Sequence, residues 1–324
     1  MAQQIELTST VSESQLGKRL DQVIAELHPD YSRSRIKEWI LKDMVSVNGK
    51  IDNKPRSKMM GGEELFIQAE IEDELRWIAQ DLPLDVVYED DDILVINKPR
   101  DFVVHPGAGT PDGTVLNALL YHYPALAEVP RVGIVHRLDK DTTGLMVVAK
   151  TIQAQTRLVR ALQKRHITRE YEAIAMGQMT GGGTIEKPIG RHATKRICMA
   201  VHELGKDAIT HYRVAERFRE HTRIVLRLET GRTHQIRVHM SYMSHPLIGD
   251  VIYGGRPRPP RHASDEFIHA LRSFDRQALH ARMLRLSHPI TGELMEWHAP
   301  LPNDMVAMID ILRKDTVENN EDIY

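Results

Sequence analysis

Residues 133–149 read GIVHRLDKDTTGLMVVA. A histidine, an arginine and two aspartates fall within the six positions 136–141, and Gly144 then opens the apolar run LMVVA. A short unbroken apolar run bounded by such a segment reads as a strand buried on both faces. The same pattern of short strands spreads outward from it. Upstream, DVVYEDDDILVINKP is strand-like around an acidic turn, and TVLNALLYHY reads as a helix. Downstream, Thr151 can cap the helix IQAQTRLVRALQKR, in which Ile152, Leu158 and Leu162 share a face. EYEAIAMG alternates, which puts Tyr171 on one side with Ala173 and Ala175. TIEKPIGR, AITHYRVAERF and TRIVLRLET continue as strands, and GRTHQIRVHMSYM turns at Gly231 into a short helix with Thr233 as its expected cap. Strands outnumber helices, so the fold class is α+β, with a mixed, mostly antiparallel sheet over residues 83–313.

Before that domain lies a smaller one, residues 1–75 with a core at about 17–70. Leu16, Leu20, Ile24 and Leu27 follow helical spacing, and His28-Pro29-Asp30 stops the helix. YSRSRIKEWILKD is a second helix, with Ser32 placed to cap it and Ile36, Trp39 and Ile40 facing inward. MVSVNGKI reads as two strands joined by Asn48-Gly49, a tight-hairpin signal, and GGEELFIQA supplies another strand. The acidic stretch around 76–82 is expected to be a linker, and residues 314–324 an acidic flexible tail.

The chain has 324 residues and a formal net charge of −2, so the totals do not announce a polyanion binder. The distribution does: residues 32–58 carry eight Lys/Arg against three Asp/Glu, and residues 213–261 carry ten against four. The single cysteine, Cys198, excludes an internal disulfide and a thiolate metal cluster. No apolar run approaches a membrane span and no secretory signal opens the chain, so a cytoplasmic protein without a membrane partner is expected.

The charge in HRLDKD admits several chemistries. A kinase-type H-R-D is broken by Leu138, no asparagine follows at the required distance, and there is no glycine-rich loop or D-F-G. Seventeen histidines invite a metal, but His234 and His239 are five apart and no H-E-x-x-H exists, so no metal is expected. The nucleophile elbow G-x-S-x-G is absent. A carboxylate acting on a sugar carbon remains, since breaking a glycosidic bond creates positive charge there. Buried, it needs a cation to stay charged. Arg137 is adjacent, but neighbours on an extended segment diverge. Arg237 is a candidate: on a helix capped by Thr233 it shares a face with His234 and Ser241, while Ile236, Met240 and Met243 form a core face. A surface helix arginine is the competing reading, and this chemistry does not choose between Asp139 and Asp141.

HRLDKDTTG, the REY of 169–171, GRTHQIRVH, HPLIGDVIYGG at 245–255 and NKPRDFVVHPG at 97–107 together resemble the RluA-type pseudouridine synthases, in the same order along nearly the whole chain. The N-terminal module resembles the S-four-type RNA-binding domain that many members carry. The resemblance implies that uridine in RNA is isomerised without a cofactor: the base detaches from the ribose, turns, and rejoins through ring carbon five. It places the catalytic aspartate on Asp139, leaves Asp141 in a variable slot, and maps the active-site tyrosine onto Tyr171 and the arginine paired with the carboxylate onto Arg237. Arg137 maps onto a residue that helps displace and hold the base. A covalent sugar intermediate and a glycal route both stay open. The wordings NKPRD and GGRPRPP sharpen the resemblance to members that act on the large ribosomal subunit, which implies 23S rRNA or a precursor of that subunit as partner, with several target uridines in a stem-loop at the subunit interface; a monomeric enzyme is expected. Arg33, Arg35, Lys37, Lys50 and Lys98 are expected to touch the RNA backbone, whereas His105 is expected to pack or cap a turn. Two rivals stand beside this reading: the same chemistry on tRNA or another rRNA site, and a non-catalytic RNA-binding assembly factor.

Overall fold

The short apolar stretches become strands because their side chains alternate or are buried on both sides, and their turns carry residues suited to positive φ. A computed structural model describes residues 3–28, 31, 33–71, 77–107, 109–195 and 197–320. These form two units, Met1–Arg76 and Trp77–Tyr324. In the first, β1 (Gln3–Thr10), α1 (Leu20–Leu27), α2 (Arg33–Leu41), β2 (Val45–Val47), β3 (Lys50–Ile51) and β4 (Glu64–Ile71) make an antiparallel sheet of order β1-β4-β2-β3 with two helices. Asn48 (φ 51°) and Gly49 (φ 75°) close the β2–β3 hairpin with both residues left-handed, as a two-residue turn requires. Leu20, Val23, Ile24, Ile36, Trp39 and Ile40 of the helices bury against Leu65 and Ile67 of β4.

The second unit opens with the hairpin β5 (Val86–Glu89) and β6 (Ile93–Lys98), then α3 (Val115–His122), β7 (Thr143–Ala149) and α4 (Ile152–Gln163). β8 (Thr168–Met176), β9 (Gly183–Glu186), β10 (Ile189–Arg191), β11 (Met199–Val201), β12 (Ile209–Arg217) and β13 (His221–Leu228) follow. The chain ends with α5 (Gln235–Tyr242), α6 (Asp265–Ser273), β14 (Leu279–Ser287), β15 (Leu294–His298) and α7 (Asn303–Asn320). One sheet runs β5-β6-β7-β14-β8-β13-β12-β9, with β15 paired to β14. Its pairings are antiparallel except β7 with β14. β7 is buried along its whole length, as its unbroken apolar run demands. Gly144 sits at φ 113°, and a Cβ there would lie 2.3 Å from the carbonyl oxygen of Ala281 on β14. Only glycine lets the strand leave the charged turn so close to its parallel neighbour.

Several local expectations are corrected. α1 starts at Leu20, so Leu16 lies outside it and is exposed. Ile152 also faces solvent, and the buried face of α4 consists of Ala154 and Leu158 with Ala161 and Leu162 partly covered. Residues 314–320 are not a loose tail: they continue α7, where Asp315 is buried against Arg219 at 2.7 Å and Lys314 pairs with Glu266. Intrachain partners for those charges outweigh the acidic composition. Residues 77–82 of the expected linker are tied to the larger unit, through Gln80 N–H to the Asn117 carbonyl and Asn117 Nδ2 to the Ile78 carbonyl. Pro29, Asp30, Ser32, residues 72–76 and residues 321–324 lie outside the described residues, as does the side chain of Arg33. Among the described residues no helix is long and apolar enough to cross a membrane.

Candidate active site

A cleft of about 540 Å³ opens between the turn before β7, the start of β8 and the start of α5. Asp139, Tyr171 and Arg237, spread over nearly a hundred residues of the chain, all line it, together with Arg137. Asp139 Oδ2 accepts a hydrogen bond from Arg237 Nη1 at 3.0 Å. The surface-arginine reading is therefore wrong: Arg237 is 5% exposed and spends its other nitrogens on Asp250, Nε to Oδ2 at 2.7 Å and Nη2 to Oδ1 at 3.0 Å. Burial works against the guanidinium charge, but the bonds to Asp250 and the proximity of Asp139 outweigh it and hold Arg237 above its ordinary value. Asp250 is fixed in turn by the backbone N–H groups of Ile252 and Tyr253, both at 3.1 Å. The result is a carboxylate–guanidinium–carboxylate chain with one end in the cleft and the other anchored to backbone.

The geometry also separates the two aspartates of the opening stretch. Asp139 and Glu229 are the carboxylates on the cleft wall, and Glu229 is occupied by Arg165 and His211, both at 2.6 Å. Asp141 lies off the cleft; its Oδ1 accepts from the Asp101 backbone N–H, and its carbonyl accepts from Arg276. The turn carrying both is clamped from beneath. Lys98 Nζ donates to the carbonyls of Pro99, Phe102 and Lys140 at 2.7–2.9 Å, and Gln277 Nε2 donates to Thr142 Oγ1. Lys98 is 1% exposed, so the expectation that it meets RNA phosphate fails. Burial pushes its ammonium down to about 7, against the pull of Asp141 and Asp139, and its three N–H groups go to the backbone that shapes the turn.

α5 enters the cleft through His234 rather than Thr233. His234 adopts φ 56° at the N-cap, and Gln235 ties the entry down by accepting from Thr230 Oγ1 and the Arg232 N–H. Tyr253 Oη accepts from the Met199 N–H and meets His234 Nδ1 at 2.8 Å, which fixes the ring beside Asp139. His234 Nε2 stands 3.9 Å from Asp139 Oδ1. Ile236 and Met240 pack as expected, whereas Met243 is 38% exposed. Tyr171 is 5% exposed on β8, on the side of Ala173 and Ala175, and burial raises its phenol with Asp139 adding and Arg169 opposing. His105 also lines the cleft, pushed down to about 4 by burial and by Arg131 and Arg137. Sequence reading missed Asp250, Tyr253 and Arg169; the first two sit in the quoted HPLIGDVIYGG, where nothing local marks the aspartate as an arginine's partner.

In the N-terminal unit Lys37 and Lys50 are exposed and Arg35 is half-buried. Lys37 borders a depression whose other basic residues are Arg19, Lys54 and Arg56.

Residues 92–242 match the family model described as RNA pseudouridylate synthase, and residues 18–65 match the S4 domain. Asp139, Tyr171 and Arg237 fall inside the first match, and Asp250 just beyond it. The chain is 74% identical to a Vibrio parahaemolyticus protein named ribosomal large subunit pseudouridine synthase D, over 98% of both chains. It is 68% identical to the Escherichia coli K12 protein of the same name, over 100% of this chain and 99% of that one. Among solved structures, human RNA pseudouridylate synthase domain containing 4 aligns with a TM-score of 0.56 at 26% identity, covering 71% of this chain and 93% of that chain. With its cleft carboxylate held by a buried arginine and relatives matched end to end, the chain belongs to the RNA pseudouridylate synthase family.

Proposed function

We propose that this protein isomerises uridines of 23S ribosomal RNA to pseudouridine, at several positions in a stem-loop at the subunit interface, acting as a cytoplasmic monomer on the large subunit or its precursor. The assignment of substrate rests on the full-length relatives, which are named for the large ribosomal subunit. The chemistry rests on one observation: Asp139 faces the cleft while Arg237, locked by Asp250, holds its far oxygen. In this reading Asp139 meets the ribose of a flipped-out uridine, as nucleophile or base, and Arg237 aims it through a charge-assisted pair. Tyr171 stacks on the freed base. Arg137, exposed at the rim, fills the space the base leaves. Lys37 and Lys50, with Arg33 and Arg35, contact RNA phosphates.

Ribosomal RNA tritiated at uracil carbon five tests the assignment, because isomerisation releases that hydrogen. The wild-type chain should release tritium, Asp139→Asn should release none, and Asp141→Asn should keep most of it. No release from wild type, or undiminished release from Asp139→Asn, sinks the reading. Mapping pseudouridine site by site in a deletion strain decides between the large-subunit stem-loop and a tRNA or other rRNA target.

A further inference from the structure

Seven Lys, Arg, Asp and Glu side chains are buried among the described residues: Lys98, Arg169, Glu172, Arg237, Asp250, Arg276 and Asp315. Six have partners. Lys98 has three carbonyls, Arg237 has Asp250 and Asp139, Arg276 has Asp304, and Asp315 and Glu172 have arginines. Arg169 has none: at 8% exposure it makes no hydrogen bond or ion pair with any described residue, and its Nε is sealed off without an acceptor. It lines the same cleft as Asp139 and lies two residues before Tyr171 on β8, on the same face. Gly231 leaves it room, since a Cβ there would stand 2.8 Å from Arg169 Nη1. A second unused donor shares the cleft wall. His136 Nε2 accepts from the Val147 N–H at 3.1 Å, so the proton of the neutral ring is on Nδ1, which is buried and unpartnered.

Unpaired buried charge is unfavourable in the free protein and is kept where a ligand completes it. We propose that Arg169 is the contact that stabilises the detached base, an inference that rests on the uridine-isomerising reading of this cleft. When the N1–C1′ bond breaks, both electrons stay with the ring, spread over N1, O2 and O4. A guanidinium fork on the cleft wall beside Tyr171 meets that charge at the moment it forms. C5 then supplies the electron pair for the new bond to C1′, C5 loses its proton to a base in the cleft, and N1 takes one up, so the product is an isomer. The phosphodiester chain, which must enter and leave through solvent, is matched instead by the exposed Arg131 at the rim.

Arg169→Met and Arg169→Lys in the full chain test this with three measurements: single-turnover tritium release from C5-labelled RNA, affinity for the same RNA, and thermal midpoint. For Arg169→Met the bound-state rate should fall on the order of 100-fold, with affinity within about threefold of wild type. The midpoint should hold or rise, because an uncompensated buried charge has been removed. Arg169→Lys should recover about tenfold of the lost rate, since the charge remains but the fork does not. A bound-state rate within about threefold of wild type in Arg169→Met overturns the proposal. Lost affinity with rate retained overturns it in favour of a phosphate contact, and a midpoint lowered by more than about 5 °C overturns it in favour of a role in the fold. Silence of the wild-type chain removes the uridine reading itself, whereas an active wild type with an equally active Arg169→Met removes only this inference.

Discussion

Replacing Asp250 by asparagine separates aiming from chemistry. Asp250 is absent from the cleft wall and its side chain is fully buried, so the substitution touches no RNA directly. What it removes is the carboxylate that takes two of the Arg237 hydrogen bonds, at 2.7 and 3.0 Å, while Arg237 itself is 5% exposed. Taking one partner from a buried ion pair costs about 3–5 kcal/mol, because the other charge is left uncompensated. One oxygen of the asparagine can still accept, but its amide N–H groups then face a guanidinium or the N–H of Ile252 and Tyr253, which need an acceptor. For a domain of roughly 250 residues that loss lowers the thermal midpoint by about 10 °C.

The catalytic consequence follows from the third bond. Freed from Asp250, Arg237 can swing toward Asp139 and take both of its oxygens, which displaces the carboxylate from the ribose. A displacement of about 1 Å at reacting atoms costs on the order of 100-fold in rate. The expected result for Asp250→Asn is therefore a lower midpoint, single-turnover tritium release slower by about 100-fold, and RNA affinity within about threefold. Asp139→Asn is the contrast. It abolishes release yet leaves the midpoint within about 2 °C, because Arg237 stays locked on Asp250. If Asp250→Asn reacted at the wild-type rate in the bound complex, the claim that this chain of charges aims Asp139 would be refuted.

Tyr171→Phe should leave the midpoint unchanged, since the hydroxyl bonds to no described residue, while slowing the bound-state rate by about 100-fold if that hydroxyl handles a proton; an unchanged rate would restrict Tyr171 to stacking. Lys98→Met should cost about 3 kcal/mol in urea denaturation by stranding three carbonyls, and should slow the reaction through a loosened turn. An unaltered stability with weakened RNA affinity would restore the phosphate-contact reading. Acid should also weaken the fold. Burial pushes His136 down to about 3, with Arg169 assisting, and His221 down to about 4. Both rings are neutral when folded and take a proton when unfolded below about 6.5, so their stability is complete above that pH and is lost as pH falls toward the folded values. Between pH 7.5 and 5 the loss is roughly 4 kcal/mol, or about 10 °C in midpoint, and a flat midpoint over that range would contradict it.

Local chemistry made much of this protein legible. Asn48-Gly49 announces its hairpin, and Thr151 caps α4 by accepting from the Ala154 N–H at 3.2 Å. The alternation of EYEAIAMG aims Tyr171 correctly because a half-buried strand has a period of two. What stayed hidden depends on distant partners. β1 reads as a polar N-terminus until β4, some sixty residues on, supplies its ladder. The tail composition looked loose because Arg219, which takes Asp315, lies 96 residues away. Lys98 read as a phosphate contact for the same reason: nothing in NKPRD says that the Lys140 carbonyl closes over its ammonium. Asp250 and Arg169 are the sharpest cases, since one is defined by a partner 13 residues upstream and the other by having none among the described residues.

Those two residues give the cleft its polarity. Asp139, Arg237 and Asp250 form a closed set carrying one net negative charge, and its free end is the Asp139 carboxylate on the cleft wall. Arg169 contributes a positive charge that no described residue pairs with, and the nearby histidines, pushed down by burial, add none. Tyr171 stands in the field of both ends, raised by Asp139 and lowered by Arg169. Heterolysis of a glycosidic bond needs that arrangement, because the sugar carbon becomes positive while the base becomes negative. A site with its charges fully paired would have to reorganise to meet the transition state; one holding opposite charges apart beforehand does not. The stability the fold gives up by leaving Arg169 unpaired is then an electrostatic gradient held ready along the bond that breaks.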